Sequence, residues 1–180
     1  MNQDALFAAC AQTFPDTVRR LSDLVAIPSC SFPGFDPVHL EESAQATADW
    51  FRAIGMPDVE LLRVEGIPPY VIARDHRAGP GKPTLLLYAH HDVQPPMREE
   101  LWASKPYAPT VRDGRLFGRG AADDKAGIAL HAGSIEAWYK IGGSLPVNVT
   151  VLIEGEEEVG SDNLERFIKG HKELLAADAV

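Results

Sequence analysis

Cysteine is scarce: Cys10 and Cys30 are the only two in 180 residues, and they do not form a Cys-x-x-Cys arrangement. So sparse a pair builds no disulfide framework, and both are expected as reduced, buried thiols of a cytosolic protein. Long apolar runs are missing too. No stretch approaches the roughly 18 residues of a membrane span, and the start, Met1-Asn2-Gln3-Asp4, has neither the basic residues nor the apolar segment of a secretory signal. The expectation is a cytoplasmic chain with no membrane partner. Positive charge is the third shortage. Seventeen lysines and arginines face 26 acidic residues, a formal net charge of -9, which repels a phosphate backbone and argues against nucleic-acid binding. The same carboxylates suit a cation site, although most are expected to form a solvated surface.

What is present is ordinary for a soluble domain with a substantial core: 45% apolar and 24% charged residues. Apolar positions at helical spacing over residues 4–26 (Leu6, Cys10, Phe14, Val18, Leu21, Val25) predict a helical segment that Pro15 divides into two pieces. A turn-rich loop follows from Ile27 to Gly34, then a helix from about Leu40 to Ile54 that Gly55 ends. Short extended runs, Val59 to Val64 and Tyr70 to Ala73, lead to Leu85-Leu86-Leu87-Tyr88-Ala89-His90-His91-Asp92-Val93-Gln94-Pro95-Pro96. This apolar run stops at three metal- or proton-binding groups and reads as a strand buried on both faces. Thr110 to Phe117 reads as a hairpin turning at Asp113-Gly114. A helix from Asp124 to Ile141, ended by Gly142-Gly143, precedes a strand from Leu145 to Ile153 in which Val147, Val149, Val151 and Ile153 share one face. Ser161 and Asp162 read as the start of a last helix, with Leu164, Phe167, Ile168 and Leu174 as its buried stripe. Strands alternating with helices indicate an α/β layered architecture.

Three polar clusters each follow an extended run: His90-His91-Asp92, Asp123-Asp124-Lys125 and Glu156-Glu157-Glu158. If those strands are neighbours in one sheet, their carboxyl ends bring the clusters together, and imidazole with carboxylate is the donor set of hydrolytic zinc sites. Alternation along the first strand sends His90 and Asp92 one way and His91 the other. His90 can then ligate a metal while Asp92 accepts a hydrogen bond from its other ring nitrogen or from a neighbouring ligand. One of Asp123 and Asp124 is expected to cap the helix that follows. Adjacent glutamates are costly unless a positive charge lies between them; with a metal there, one binds the ion and its neighbour carries protons. Two other readings stand beside this one. The Gly118-Arg119-Gly120 turn comes close to a dinucleotide fingerprint, against which Asp123 sets a carboxylate where a pyrophosphate would approach. The clusters also fit a non-catalytic metal-binding or assembly module.

In order and spacing, Tyr88-Ala89-His90-His91-Asp92-Val93-Gln94-Pro95, Gly118-Arg119-Gly120-Ala121-Ala122-Asp123-Asp124-Lys125 and Glu154-Gly155-Glu156-Glu157-Glu158-Val159-Gly160-Ser161 resemble the dinuclear zinc exopeptidase family. That family holds the carnosine dipeptidases, aminoacylase, acetylornithine deacetylase, succinyl-diaminopimelate desuccinylase and glutamate carboxypeptidases. Val93-Gln94-Pro95, Trp102 and Arg112-Asp113-Gly114 look most like the dipeptidase branch. The resemblance implies a three-layer α-β-α catalytic domain and hydrolysis of a dipeptide or N-acyl amino acid amide by water activated at two zinc ions, with manganese or cobalt as possible substitutes. Carried over by position, it implies His90, Asp123 and Glu158 as metal ligands, with Asp123 bridging, Glu157 as general base and Asp92 orienting the site. A cis peptide after Asp123 is implied as well. The family's site also takes a later aspartate and a late histidine, and its inserted small domain mediates dimerisation. Residues 1–180 are therefore expected to be the amino-terminal part of the catalytic domain, inactive or weakly active alone, with Ala176 to Val180 opening the next strand and a homodimer expected for the complete protein.

Overall fold

The computed structural model describes residues 3–180; Met1 and Asn2, which begin the segment read above for a signal, lie outside the described residues. In chain order the elements are α1 (Gln3–Val25), α2 (Val38–Ala53), β1 (Asp58–Leu62), β2 (Tyr70–Asp75), β3 (Thr84–His90), β4 (Thr110–Arg112), β5 (Arg115–Phe117), α3 (Lys125–Gly142), β6 (Asn148–Glu154) and α4 (Leu164–Gly170). Short 3-10 turns lie at Glu99–Leu101 and Glu157–Val159. No described helix is long and apolar enough to cross a membrane.

Period-2 alternation in the central strands sorts side chains into two layers. Val71 and Ala73 of β2 and Val149, Val151 and Ile153 of β6 pack with Leu24, Ala48, Phe51, Ile128 and Ile135 from α1, α2 and α3. Tyr70, Ile72 and Leu152 point the other way, against Phe167 of α4 and Leu175, and the Tyr70 and Phe167 rings stack at 3.8 Å. The result is a three-layer α-β-α arrangement around a mixed sheet of order β1-β2-β6-β3, in which only β3 and β6 are parallel.

Several sequence expectations change. Helix α1 runs unbroken through Pro15. Pro15 sits on the solvent side, where water can satisfy the carbonyl that loses its helical donor, while Thr13 and Thr17 keep the opposite side packed. Strand β3 is not buried on both faces: Leu85 to Leu87 are half-buried and Tyr88 is 37% exposed. It lies at the sheet's margin, where its outer edge meets a parallel bridge from Leu85 to Ala179; Ala176 to Val180 does begin a pairing there. The hairpin β4–β5 turns at Asp113 and Gly114, both at positive φ, but forms a separate two-stranded sheet. Asp123 therefore does not follow a strand of the main sheet. Helix α4 spans only seven residues, too short to bury its whole stripe, and Ile168 stays 40% exposed. Both cysteines are free, Cys30 buried and Cys10 half-buried between α1 and α3.

Candidate metal centre

Two neighbouring parallel strands end together, His90 of β3 lying opposite Glu154 of β6. The segments leaving them, His91 to Gln94 and Gly155 to Glu158, emerge side by side at the carboxyl end of the sheet, where open α/β folds place ligands. The first segment is stitched to the Ile27–Ser31 loop: Val93 bridges Cys30, Val93 N–H donates to the Ser29 carbonyl at 3.0 Å, and the Ser29 hydroxyl donates to the His91 carbonyl at 2.7 Å.

Along this segment alternate residues face the site. The His90 Nδ1 lies 3.1 Å from the Asp92 carbonyl and 3.3 Å from its carboxylate, so in the neutral ring the proton stays on Nδ1 and Nε2 is the bare nitrogen. Nε2 faces Asp123 Oδ1 at 3.1 Å and Glu157 Oε2 at 3.7 Å. Burial alone would lower the His90 pKa, but the Asp92 hydrogen bond and the charges of Asp92, Glu157 and Asp124 outweigh it and raise it to about 9. The surroundings thus favour a cation on this nitrogen. His91 points away, fully buried, with Nε2 2.9 Å from the Pro69 carbonyl; burial pushes it down to about 4, so the ring is neutral and donates that bond.

Asp92 is a fully buried junction. It accepts from the Ser31 hydroxyl at 2.6 Å, the Glu157 N–H at 3.2 Å and the Glu158 N–H at 3.1 Å. Burial raises a carboxyl pKa, yet the bonds from His90 and Ser31 prevail and hold Asp92 below its usual value. Fixing two successive N–H groups with one carboxylate sets the turn that carries both glutamates.

Asp123 reaches the site from the start of α3, and its side chain is 77% exposed. The Asp123-Asp124 peptide is cis. Asp124 is the helix cap, accepting from the Gly127 N–H at 3.2 Å. Lys125 is fully buried, its Nζ donating to the Leu24 and Ile27 carbonyls at 2.7 and 2.8 Å, which ties this turn to the end of α1; burial lowers it to about 7. The two glycines of the near-dinucleotide turn are used for packing. A Cβ on Gly118 would lie 2.5 Å from Val25, and one on Gly120 2.5 Å from Val93, which leaves no open cradle for phosphates.

The run of glutamates divides by direction. Glu154 is buried and accepts from the Tyr88 hydroxyl at 2.6 Å. Glu156 is buried and accepts from Tyr70 and from the backbone and side chain of Asn163, so it anchors the following turn. Glu157 and Glu158 face the site. One donor atom from each of His90, Asp123 and Glu158 lies within 4.8 Å of the others, and a nitrogen with carboxylate oxygens fits a zinc-type ion. His91, Asp124 and Glu156 are not part of this group. Three residues with no role expected from the sequence also hold the site together: Gln94, whose Nε2 donates to Glu158 Oε2 at 2.6 Å, Ser31 and Lys125. The alternation that selected His90 and Asp92 extends one step further to Gln94, so that signal was available.

The model for peptidase family M20/M25/M40 matches residues 86–180, which hold all three clusters. The chain belongs to this family. Within it, the Cys-Gly metallodipeptidase dug1 of Schizosaccharomyces pombe is 35% identical over 99% of the chain and 39% of its own length. The Beta-Ala-His dipeptidase of Rattus norvegicus is 38% identical over 66% of the chain and 23% of its own length. The crystal structure of human carnosine dipeptidase 1 superposes with a TM-score of 0.88 at 30% identity, covering 98% of the chain and 40% of that structure. Resemblance to the dipeptidase branch and the α-β-α fold are both borne out. The chain spans about two fifths or less of the length of these relatives.

Proposed function

We propose that this chain supplies the first part of the metal centre of a peptidase that hydrolyses dipeptides or N-acyl amino acids. The observation that carries the proposal is the convergence of His90, Asp123 and Glu158 within 4.8 Å, with Glu157 beside them. The relatives named for Cys-Gly and Beta-Ala-His cleavage support a dipeptide as the substrate class. In this reading His90 Nε2 would hold one ion and Glu158 a second, and Asp123, the most exposed of the three, would serve both. Zinc suits the mixed nitrogen and oxygen donors, and manganese or cobalt could take the same set. When bound, such an ion supplies Lewis acidity and a water of lowered pKa.

The protein's own groups do the rest. Asp92 keeps the His90 proton on Nδ1 and pins the Glu157 and Glu158 backbone. Glu157, 44% exposed, takes the proton from water and delivers it to the leaving amine. The chain spans 39% of the length of the Schizosaccharomyces pombe relative, and we propose that in the complete protein a further aspartate and histidine complete the site and a dimerisation domain makes it a cytoplasmic homodimer.

Zinc titration of the 180-residue chain, alongside hydrolysis of a dipeptide panel, tests this. The chain should bind zinc weakly, His90→Ala should lose that binding, and Glu157→Gln should keep it. Turnover should be slight. Robust turnover would overturn the partial-site reading, and zinc binding that survives His90→Ala would overturn the ligand assignment. In the complete enzyme Glu157→Gln should cut turnover by roughly 10²–10⁴; full-length protein that binds zinc but hydrolyses nothing would favour the non-catalytic module.

A further inference from the structure

Glu157 and Glu158 are chemically identical neighbours whose N–H groups are both held by Asp92, so neither their chemistry nor that shared anchor decides which carboxylate binds an ion and which stays free. We propose that Gln94 decides it, as a positioning residue that fixes the Glu158 carboxylate as the ligand. The inference rests on the metal-centre reading above and deepens it.

The contrast between the two side chains carries the argument. Gln94 Nε2 donates to Glu158 Oε2 at 2.6 Å and lies 3.4 Å from the Glu158 carbonyl. One amide thus grips both the backbone and the side-chain end of the same residue. A hydrogen bond to one carboxylate oxygen fixes the rotation of the group and with it the direction of both oxygens. Glu157 has no such partner: the His90 imidazole at 3.7 Å is the one cationic group that pairs with it among the described residues, and its side chain is 44% exposed. A held carboxylate meets an ion without losing further rotamer freedom, whereas a free one can swing between water and leaving group, as proton carriage requires.

The residue type matters as well. An ammonium or guanidinium in place of Gln94 would neutralise Glu158 and compete with the ion, and a carboxylate would repel it. A neutral amide gives direction without charge. Position adds the last point: His90, Asp92 and Gln94 are three successive inward steps of one segment, the donor nitrogen, the clamp on the glutamate backbone and the clamp on the glutamate side chain.

The test is zinc affinity of the 180-residue chain, measured by competition with a chromophoric chelator, for Gln94→Leu and the less disruptive Gln94→Met. Both should bind zinc 10- to 100-fold more weakly, with the thermal midpoint of the zinc-free protein unchanged. The same fall should appear when Gln94→Leu is made in a Glu157→Ala background, because Glu157 is not the residue held. Affinity equal to that of the unaltered chain, or a fall that vanishes with Glu157→Ala, overturns the proposal. Unaltered protein that binds no zinc overturns the metal-centre reading itself, and the two failures are thereby told apart.

Discussion

Asp75 is 1% exposed and still ionised, because its oxygens accept from the Arg77 N–H, Nε and Nη2 at 3.0, 2.8 and 2.7 Å and from the Tyr139 hydroxyl at 2.7 Å. The Arg77 hydrogen bonds, reinforced by Tyr139, outweigh burial and hold its pKa at about 2. A carboxylate whose folded pKa lies below its unfolded value stabilises the fold fully above the unfolded value and loses that contribution as pH falls through the folded one. The window here is about pH 4 to pH 2, and the contribution at neutral pH is up to about 2 kcal/mol, reduced by solvent screening of the half-exposed Arg77. Urea unfolding of Asp75→Asn should therefore show a loss of that order at pH 7. The gap to the unaltered protein should close as pH drops through the window. A gap independent of pH would mean that Asp75 acts through packing rather than through charge.

Among the elements, α1 holds the clearest conflict between local rule and outcome. Pro15 removes an N–H and crowds the preceding turn, a cost of about 3 kcal/mol in a helix interior, yet the helix continues, held by buried Thr13 before it and, after it, by Thr17 against Gly133 of α3 and by Leu21 and Leu24 in the core. Pro15→Ala restores the missing donor at a solvent-facing position. The gain should be about 1–3 kcal/mol, less what proline contributes by restricting the unfolded chain, and the thermal midpoint should rise by several degrees. No rise would mean that the helix is bent at this turn to relieve the proline. The periodicity of Leu21, Val18 and their neighbours located this helix; what it could not register was tertiary packing strong enough to override a breaker. The same limit explains β3, where an apolar run predicted burial on both faces and the strand's marginal place in the sheet left Tyr88 partly open. The hairpin, the Asp124 cap of α3 and the shared face of Val149, Val151 and Ile153 depended on local chemistry alone, and they were legible; the start of α4 was not, since Asn163 rather than Ser161 or Asp162 stands before its first residue.

Across the whole molecule, the candidate centre is where otherwise separate parts meet: the loop after α1 through Ser31, the end of β3 through His90, the start of α3 through Asp123 and the turn after β6 through Glu158. Motif spacing alone made the three clusters legible, but not the means of their meeting, since Asp123 arrives from a helix start beside a separate hairpin rather than from a neighbouring strand. Nor did spacing reveal the buried ties, Lys125 to the end of α1 and Asp92 to the glutamate turn, because those contacts lie far apart in sequence. A ligand that binds only the folded state adds RT ln(1 + [L]/Kd), about 2.7 kcal/mol at a hundredfold excess over Kd. Zinc joining three of these parts should accordingly raise the thermal midpoint, and chelator should reverse the shift. Hydrogen exchange should slow at the Asp123–Lys125 turn and the Glu156–Ser161 turn, the segments tied most directly to the donor atoms, more than in α4, which contributes none. In His90→Ala both effects should disappear together. Uniform slowing that includes α4 would show the ion binding elsewhere or acting on the whole surface, and the centre would then not be the clamp that these contacts describe.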